Sequence, residues 1–183
     1  MKTHILGGIA GRLRSYGLIS YSYNLGNISN KGLYTGGICG YNHANGGTQN
    51  NEPSRASTIV QCYNRSNTIS GVSRTGGIAG ANFQYCYLKE CYISNDTQVK
   101  YNTTIATNNI GSSSQYLGNI VGYAYTNNNT YINNIGKLSN MPTVYEVVNG
   151  SEQTGLNNGE SNYWSNTAWT NENFKAPKLK WEK

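Results

Sequence analysis

Gly36-Gly37-Ile38-Cys39-Gly40-Tyr41-Asn42 is the stretch that decides the fold, because its first five residues recur. The other copies are Gly7-Gly8-Ile9-Ala10-Gly11, Gly76-Gly77-Ile78-Ala79-Gly80 and Gly118-Asn119-Ile120-Val121-Gly122. A second block follows each copy: Ile19-Ser20-Tyr21-Ser22-Tyr23-Asn24, then Ile59-Val60-Gln61-Cys62-Tyr63-Asn64, then Leu88-Lys89-Glu90-Cys91-Tyr92-Ile93. The fourth version is degenerate, near Ile132 to Ile135. A weaker third block closes each unit, at Asn27-Ile28-Ser29, Thr68-Ile69-Ser70 and Gln98-Val99. A repeat of this period marks a stacked array, because no single unit can bury its own apolar face.

Each unit therefore reads as three short apolar strands joined by turns of Gly, Asn and Ser, such as Asn45-Gly46-Gly47, Ser70-Gly71 and Ser112-Ser113-Ser114. Ile, Thr and Tyr suit the strands, and Asn suits corners that need positive φ. The first unit is the shortest. The second is extended by Asn42 to Ser57, with Pro53, and the third by Lys100 to Tyr116. These read as loops inserted on a constant coil. Stacking predicts one column of Ile9, Ile38, Ile78 and Ile120 and another of Ile19, Ile59 and Leu88. The expected fold is all-β, a parallel β-solenoid of about four coils, right-handed by the usual crossover preference. The repeats span 1–150, with units near 7–35, 36–75, 76–117 and 118–150.

Residues 151–183 differ. All three Trp lie there, at positions 164, 169 and 181, with Pro177 and Lys175, Lys178, Lys180 and Lys183 around them. An array needs its last coil covered, large aromatics cover an apolar end well, and Lys discourages edge pairing. The segment is expected to be a C-terminal aromatic cap.

Composition restricts function. Asp96 is the sole Asp, the acidic total is 8, and the His are His4 and His43. Hydrolytic sites mostly need two carboxylates, or a His with a carboxylate, or a metal cluster. Glu52 and Glu90 are the carboxylates worth naming, and Glu52 lies in an insertion. There is no His-Glu-x-x-His and no Gly-x-Gly-x-x-Gly, and Asn134-Ile135-Gly136-Lys137-Leu138 lacks the leading Gly and the Ser or Thr of a phosphate loop. The expectation is a protein that is not an enzyme, with no cofactor and no metal. Cys62 and Cys91 share a register, so they predict a buried thiol column. Cys86 and Cys91 leave a disulfide or metal pair open. Cys39 and His43 are spaced as a thiol–imidazole dyad would be, but Cys39 fills a slot taken by Ala or Val elsewhere, which favours an inert core thiol.

The net charge is +6, with scattered Arg and a basic end, short of the dense stripe that nucleic acid requires. No apolar run approaches the ~18 residues of a membrane helix. The apolar start is broken by Gly7-Gly8 and Arg12, so it does not read as a secretion signal. Two tyrosine rows are ligand-binding candidates. Tyr23, Tyr63 and Tyr92 form one, and Tyr41 and Tyr123 the other. Facing outward, such rows with Asn amides nearby would suit a glycan; facing inward, they would only join coils.

The unit Gly-Gly-Ile-x-Gly-Tyr-Asn, then Ile-x-x-Cys-Tyr-Asn, then Ile-Ser, resembles the GLUG motif repeats. Those occur in bacterial cell-surface, adhesin-like proteins and beside immunoglobulin A-type metallopeptidases. The resemblance covers about residues 5–150, and the tail from about 160 to 183 is similar to the segment closing such arrays. Asn119 for the second Gly, Ala81 for Tyr, and the lost fourth Cys-Tyr block depart from it. The resemblance implies an extracellular or cell-surface location. It implies a stalk or adhesin scaffold, or else a glycan- or host-protein-binding module of a larger extracellular enzyme such as a peptidase. A polysaccharide lyase or hydrolase is the least favoured reading. The first repeat starts almost at once, so continuation from further N-terminal repeats or domains is also expected.

Overall fold

The computed structural model describes residues 4–44, 56–83, 85–112, 116–125, 131–138, 169–170 and 178–179. Its strands are β1 (Ile5–Gly7), β2 (Ala10–Arg14), β3 (Leu18–Ser20), β4 (Tyr23–Asn24), β5 (Ile28–Ser29), β6 (Tyr34–Gly36), β7 (Cys39–His43), β8 (Thr58–Val60), β9 (Tyr63–Asn64), β10 (Thr68–Gly71), β11 (Thr75–Gly76), β12 (Ala79–Asn82), β13 (Tyr87–Ser94), β14 (Gln98–Tyr101), β15 (Thr104–Ile105), β16 (Leu117–Gly118), β17 (Val121–Ala124), β18 (Tyr131–Leu138), β19 (Trp169–Thr170) and β20 (Lys178–Leu179). No helix occurs among the described residues.

The chain is all-β, and its repeats add parallel strands to a common set of sheets. One sheet runs β1-β6-β11-β16, a second β2-β7-β12-β17, and a third β5-β10-β14-β15. In the fourth, β13 pairs with β8 through its first half, with β9 through its second, and with β18 along its length. The register follows the repeat: Gly7 pairs with Gly36, and Gly76 with both Gly36 and Gly118. The β15 pairing with β14 and the β19–β20 pair are antiparallel.

The expected three strands per unit become strands in four sheets, because the repeated pentamer is a corner and not a strand. β6 ends at Gly36 and β7 begins at Cys39. A Cβ on Gly36 would collide with the Cys39 carbonyl, and one on Gly37 with the Gly77 carbonyl. Only glycine lets the backbone fold this tightly against its neighbours above and below. Across the corner the Ile backbones form a ladder: Ile9 N–H donates to Ile38 O at 3.0 Å, Ile38 to Ile78 at 2.9 Å, and Ile78 to Ile120 at 2.9 Å. Ile38, Ile78 and Ile120 are wholly buried, but Ile9 is 49% exposed, because its unit lies at the end of the stack.

The second column holds as Ile19–Ile59–Leu88, and Ile28–Ile69–Val99 forms a third. Within the fourth sheet the inward residues lie three apart, Ile59 with Cys62 and Leu88 with Cys91, all fully buried. Strict alternation forbids that spacing. The phase is reset by one left-handed residue in each unit: Tyr21, Gln61 and Glu90 have φ of 48°, 52° and 54°. Positive φ therefore falls mainly on Tyr, Gln and Glu. Among the described residues Asn102 is the one Asn in the non-glycine examples, so there Asn does not fill such corners as expected.

Asn instead spans neighbouring units from inside. Asn42 Nδ2 donates to Asn82 Oδ1 at 2.7 Å, Ser57 Oγ donates to Asn42 Oδ1 at 2.5 Å, and Asn82 Nδ2 donates to the Cys86 carbonyl at 3.1 Å. Asn24 Nδ2 donates to Asn64 Oδ1 at 3.0 Å. The Asn42–Asn82 and Asn24–Asn64 bonds run between equivalent positions of adjacent units, which side chains reach only when strands are in register.

The Lys100–Tyr116 segment is more than a loop. Its Asn108–Gly111 stretch lies against the Asn119–Val121 corner. Asn119 N–H donates to Asn108 O, while Ile120 and Val121 donate to Asn109 O at 2.9 and 3.0 Å. This repeats the pattern by which Ile78 and Ala79 donate to Ile120 O. The insertion thus covers the fourth corner as a further unit would. The expected aromatic cap lies outside the described residues, as do Trp164, Trp181, the Asn45–Arg55 part of the second insertion and Glu52. Of the tail, the described part is the β19–β20 pair, with Trp169 opposite Leu179.

Candidate functional face

The outer surface at the glycine corner carries three columns of large side chains. Parallel register places Arg12, Tyr41, Ala81 and Tyr123 in one column across β2, β7, β12 and β17. Two residues on, Arg14 aligns with His43, and Phe83 and Tyr125 continue that line. At the start of the first sheet's strands, Tyr34 (the first residue of β6), Arg74 and Tyr116 precede the aligned Thr35, Thr75 and Leu117.

These columns lock together. Phe83 leans across Ala81, with its ring 4.8 Å from Tyr41 and 5.5 Å from Tyr123, so the small residue leaves no gap and is fully buried. His43 stacks on Tyr41 at 5.2 Å, and Tyr34 meets Tyr41 edge-on at 4.6 Å. The Arg12 guanidinium lies 4.8 Å from the Tyr41 ring centre. Arg74 lies 5.1 Å from Tyr34, 5.0 Å from Tyr116 and 5.4 Å from Tyr123. Such contacts place each guanidinium against electron-rich ring faces and restrict its rotamers.

The electrostatics follow. Burial pushes the Tyr41 phenol up, with Tyr34 adding to the effect, and Arg12 opposes it. Burial pulls His43 down, reinforced by Arg12 and Arg14, which holds its imidazole neutral near pH 7. The described carboxylates, Glu90 and Asp96, belong to β13 and the turn after it. Glu90 is engaged by Lys89 at 3.1 Å and by Gln61 Nε2 at 2.6 Å. Arg12, Arg14 and Arg74 have no carboxylate partner among the described residues, and Arg74 Nε is a buried donor with no hydrogen-bond partner there.

The sequence candidates divide between two places. Tyr41 and Tyr123 belong to this face. Tyr23, Tyr63 and Tyr92 align on the fourth sheet, where Tyr23 stacks on Tyr63 at 5.3 Å. Tyr63 is wholly buried and Tyr92 is 3% exposed, so those rings join neighbouring units rather than meet solvent. Sequence reasoning missed Tyr34, Arg74, Tyr116, His43, Phe83 and Tyr125 as members of the face. The signal was present: they stand two residues before, or three after, the glycines that bound each pentamer.

The thiols lie inside. Cys39, Cys62, Cys86 and Cys91 are all buried and unpaired. Burial pushes Cys39 up to about 12 and raises Cys86 and Cys91 as well. Cys39 and His43 do not form a dyad, since His43 stacks outside on Tyr41 while Cys39 belongs to the core. Among the described residues, no three His, Cys, Asp or Glu side chains come together as a metal site would need.

A scan against protein-family models matches none, and no curated protein and no solved structure matches the chain.

Proposed function

We propose that the chain is a non-catalytic repeat module of a secreted or cell-surface protein, a stalk or adhesin scaffold that displays a recognition surface. In this reading it is a right-handed parallel β-helix of about four coils, closed by an aromatic C-terminal segment. Its likeness to GLUG motif repeats supplies the extracellular setting, and further N-terminal repeats or domains would extend the stack. The observation that carries the reading is the outer face of the glycine corner. Successive units there contribute Tyr34, Tyr41, Arg74, Phe83, Tyr116 and Tyr123 to one interlocked surface. A stack that served only as a spacer would not need guanidinium groups held among rings with no carboxylate partner among the described residues.

The same face favours a second reading, a glycan- or protein-ligand-binding module of a larger extracellular enzyme such as a peptidase. Both readings predict binding without turnover. The test is a glycan array probed with the folded chain, run beside a reducing-end assay on the same polymers. Retention on glycans without new reducing ends supports the reading. New ends with the purified chain would turn it toward the lyase or hydrolase alternative.

A further inference from the structure

We propose that the glycine-corner face binds carboxylate-bearing polysaccharide, with Arg12 and Arg74 as its anion contacts. This rests on the reading of that face as a ligand surface and names the ligand's chemistry.

The argument starts from what the rings are already doing. Arg12 lies over the face of Tyr41, and His43 also stacks on that ring. Arg74 stands in register between Tyr34 and Tyr116 and also meets Tyr123. A neutral sugar, or a nucleic-acid base, binds an aromatic platform through a free ring face. Here the ring faces serve the guanidinium groups. What the surface still offers is charge and N–H edges, held in place beforehand by the rings.

Among the described residues the charge is uncompensated. Neither described carboxylate lies on this face, and Glu90 is committed to Lys89 and Gln61. Arg74 is partly buried and its Nε has no hydrogen-bond partner among the described residues. An anion reaching its terminal nitrogens would form charge-assisted hydrogen bonds and offset the desolvation it now bears.

Spacing and chemistry select the kind of anion. Arg12 lies on β2 and Arg74 just before β11, the first and third strands of their sheets, so they stand two strand steps apart, or about 10 Å along the stack. Arg14 lies beside Arg12 on the same strand. One small anion cannot span both places, whereas an extended chain with repeated carboxylates can. The rings of Tyr34, Tyr116 and Tyr123 surround Arg74, and each carries a phenol hydroxyl of the kind that suits sugar hydroxyls flanking a uronate carboxylate.

The experiment uses the full chain in affinity electrophoresis and titration calorimetry. The ligands are polygalacturonate, the same polymer fully methyl-esterified, and a single-stranded oligodeoxynucleotide. The expected result is binding to the free acid that weakens with added salt. Esterification should weaken it about tenfold or more, since each lost charge-assisted bond is worth roughly a factor of ten. Arg12→Ala, at an exposed position, should lower affinity with an unchanged melting temperature. Arg74→Gln should lower it too. Equal binding of acid and ester would overturn the proposal while leaving the face a glycan site. So would acid binding that survives both substitutions, or tighter binding of the oligonucleotide. Failure of the folded chain to bind either polymer, together with a blank glycan array, would sink both the proposal and the reading beneath it.

Discussion

Asn82→Ala tests the claim that amides running between units, and not apolar contact alone, hold adjacent repeats in register. Asn82 is wholly buried, accepts from Asn42 Nδ2 at 2.7 Å and donates to the Cys86 carbonyl at 3.1 Å. Alanine removes both bonds. A net hydrogen bond is worth about 1 kcal/mol, and a buried group left unpaired costs about 1–3 kcal/mol. Asn42 Nδ2 would keep only its long 3.4 Å contact with the Tyr87 carbonyl. The expected loss is therefore about 2–4 kcal/mol. Urea unfolding followed by circular dichroism reads it as a lower midpoint at unchanged slope. Asn42→Ala and the double variant complete a cycle, in which the double loss should fall short of the sum by about 1 kcal/mol. The Asn24–Asn64 bond at 3.0 Å is only part-buried, so Asn24→Ala should cost less, about 1 kcal/mol. A loss below about 0.5 kcal/mol for Asn82→Ala, or strict additivity with Asn42→Ala, would refute the reasoning.

The other predictions concern the core, the thiols and pH. Ile78→Ala should cost about 2–5 kcal/mol, because Ile78 is fully buried between Ile38 and Ile120. Ile9→Ala, at the exposed end of the same column, should cost less than about 1 kcal/mol in the same unfolding assay. Iodoacetamide at pH 8 should leave all four cysteines unmodified in the folded chain and label them in denaturant, as mass spectrometry would count, since burial keeps Cys39 protonated up to about 12. His43 is held down by burial and by Arg12 and Arg14, so the folded state takes up its proton less readily than the unfolded chain. Its contribution to stability is complete above the unfolded value near 6.5 and is lost as pH falls through the lower folded value. Melting temperatures from pH 7.5 to 4.5 should fall less steeply in His43→Phe, and parallel curves would exclude His43 as the cause.

What the sequence by itself determined is the stacking register. Gly-Gly-Ile recurs, and a backbone ladder between equal positions is the one arrangement that buries Ile38, Ile78 and Ile120 together. The columns of Ile59 with Leu88 and of Cys62 with Cys91 were legible for the same reason, since a repeat that stacks must superpose equal positions. Ile132 falls opposite Leu88 and Ile135 opposite Cys91, so even the degenerate fourth copy keeps that frame. The tertiary structure decided what depends on backbone direction. That the pentamer is a corner follows from carbonyls of the preceding and following units, which a one-dimensional pattern does not contain. That Tyr21, Gln61 and Glu90 take positive φ is set by the need to point two residues three apart into one interior, against the intrinsic preference for Gly or Asn. The outer face of the glycine corner joins residues from two sheets and four units. Each stands at a fixed offset from a glycine, but only the tight fold at that glycine brings Arg74 within reach of Tyr34, Tyr116 and Tyr123.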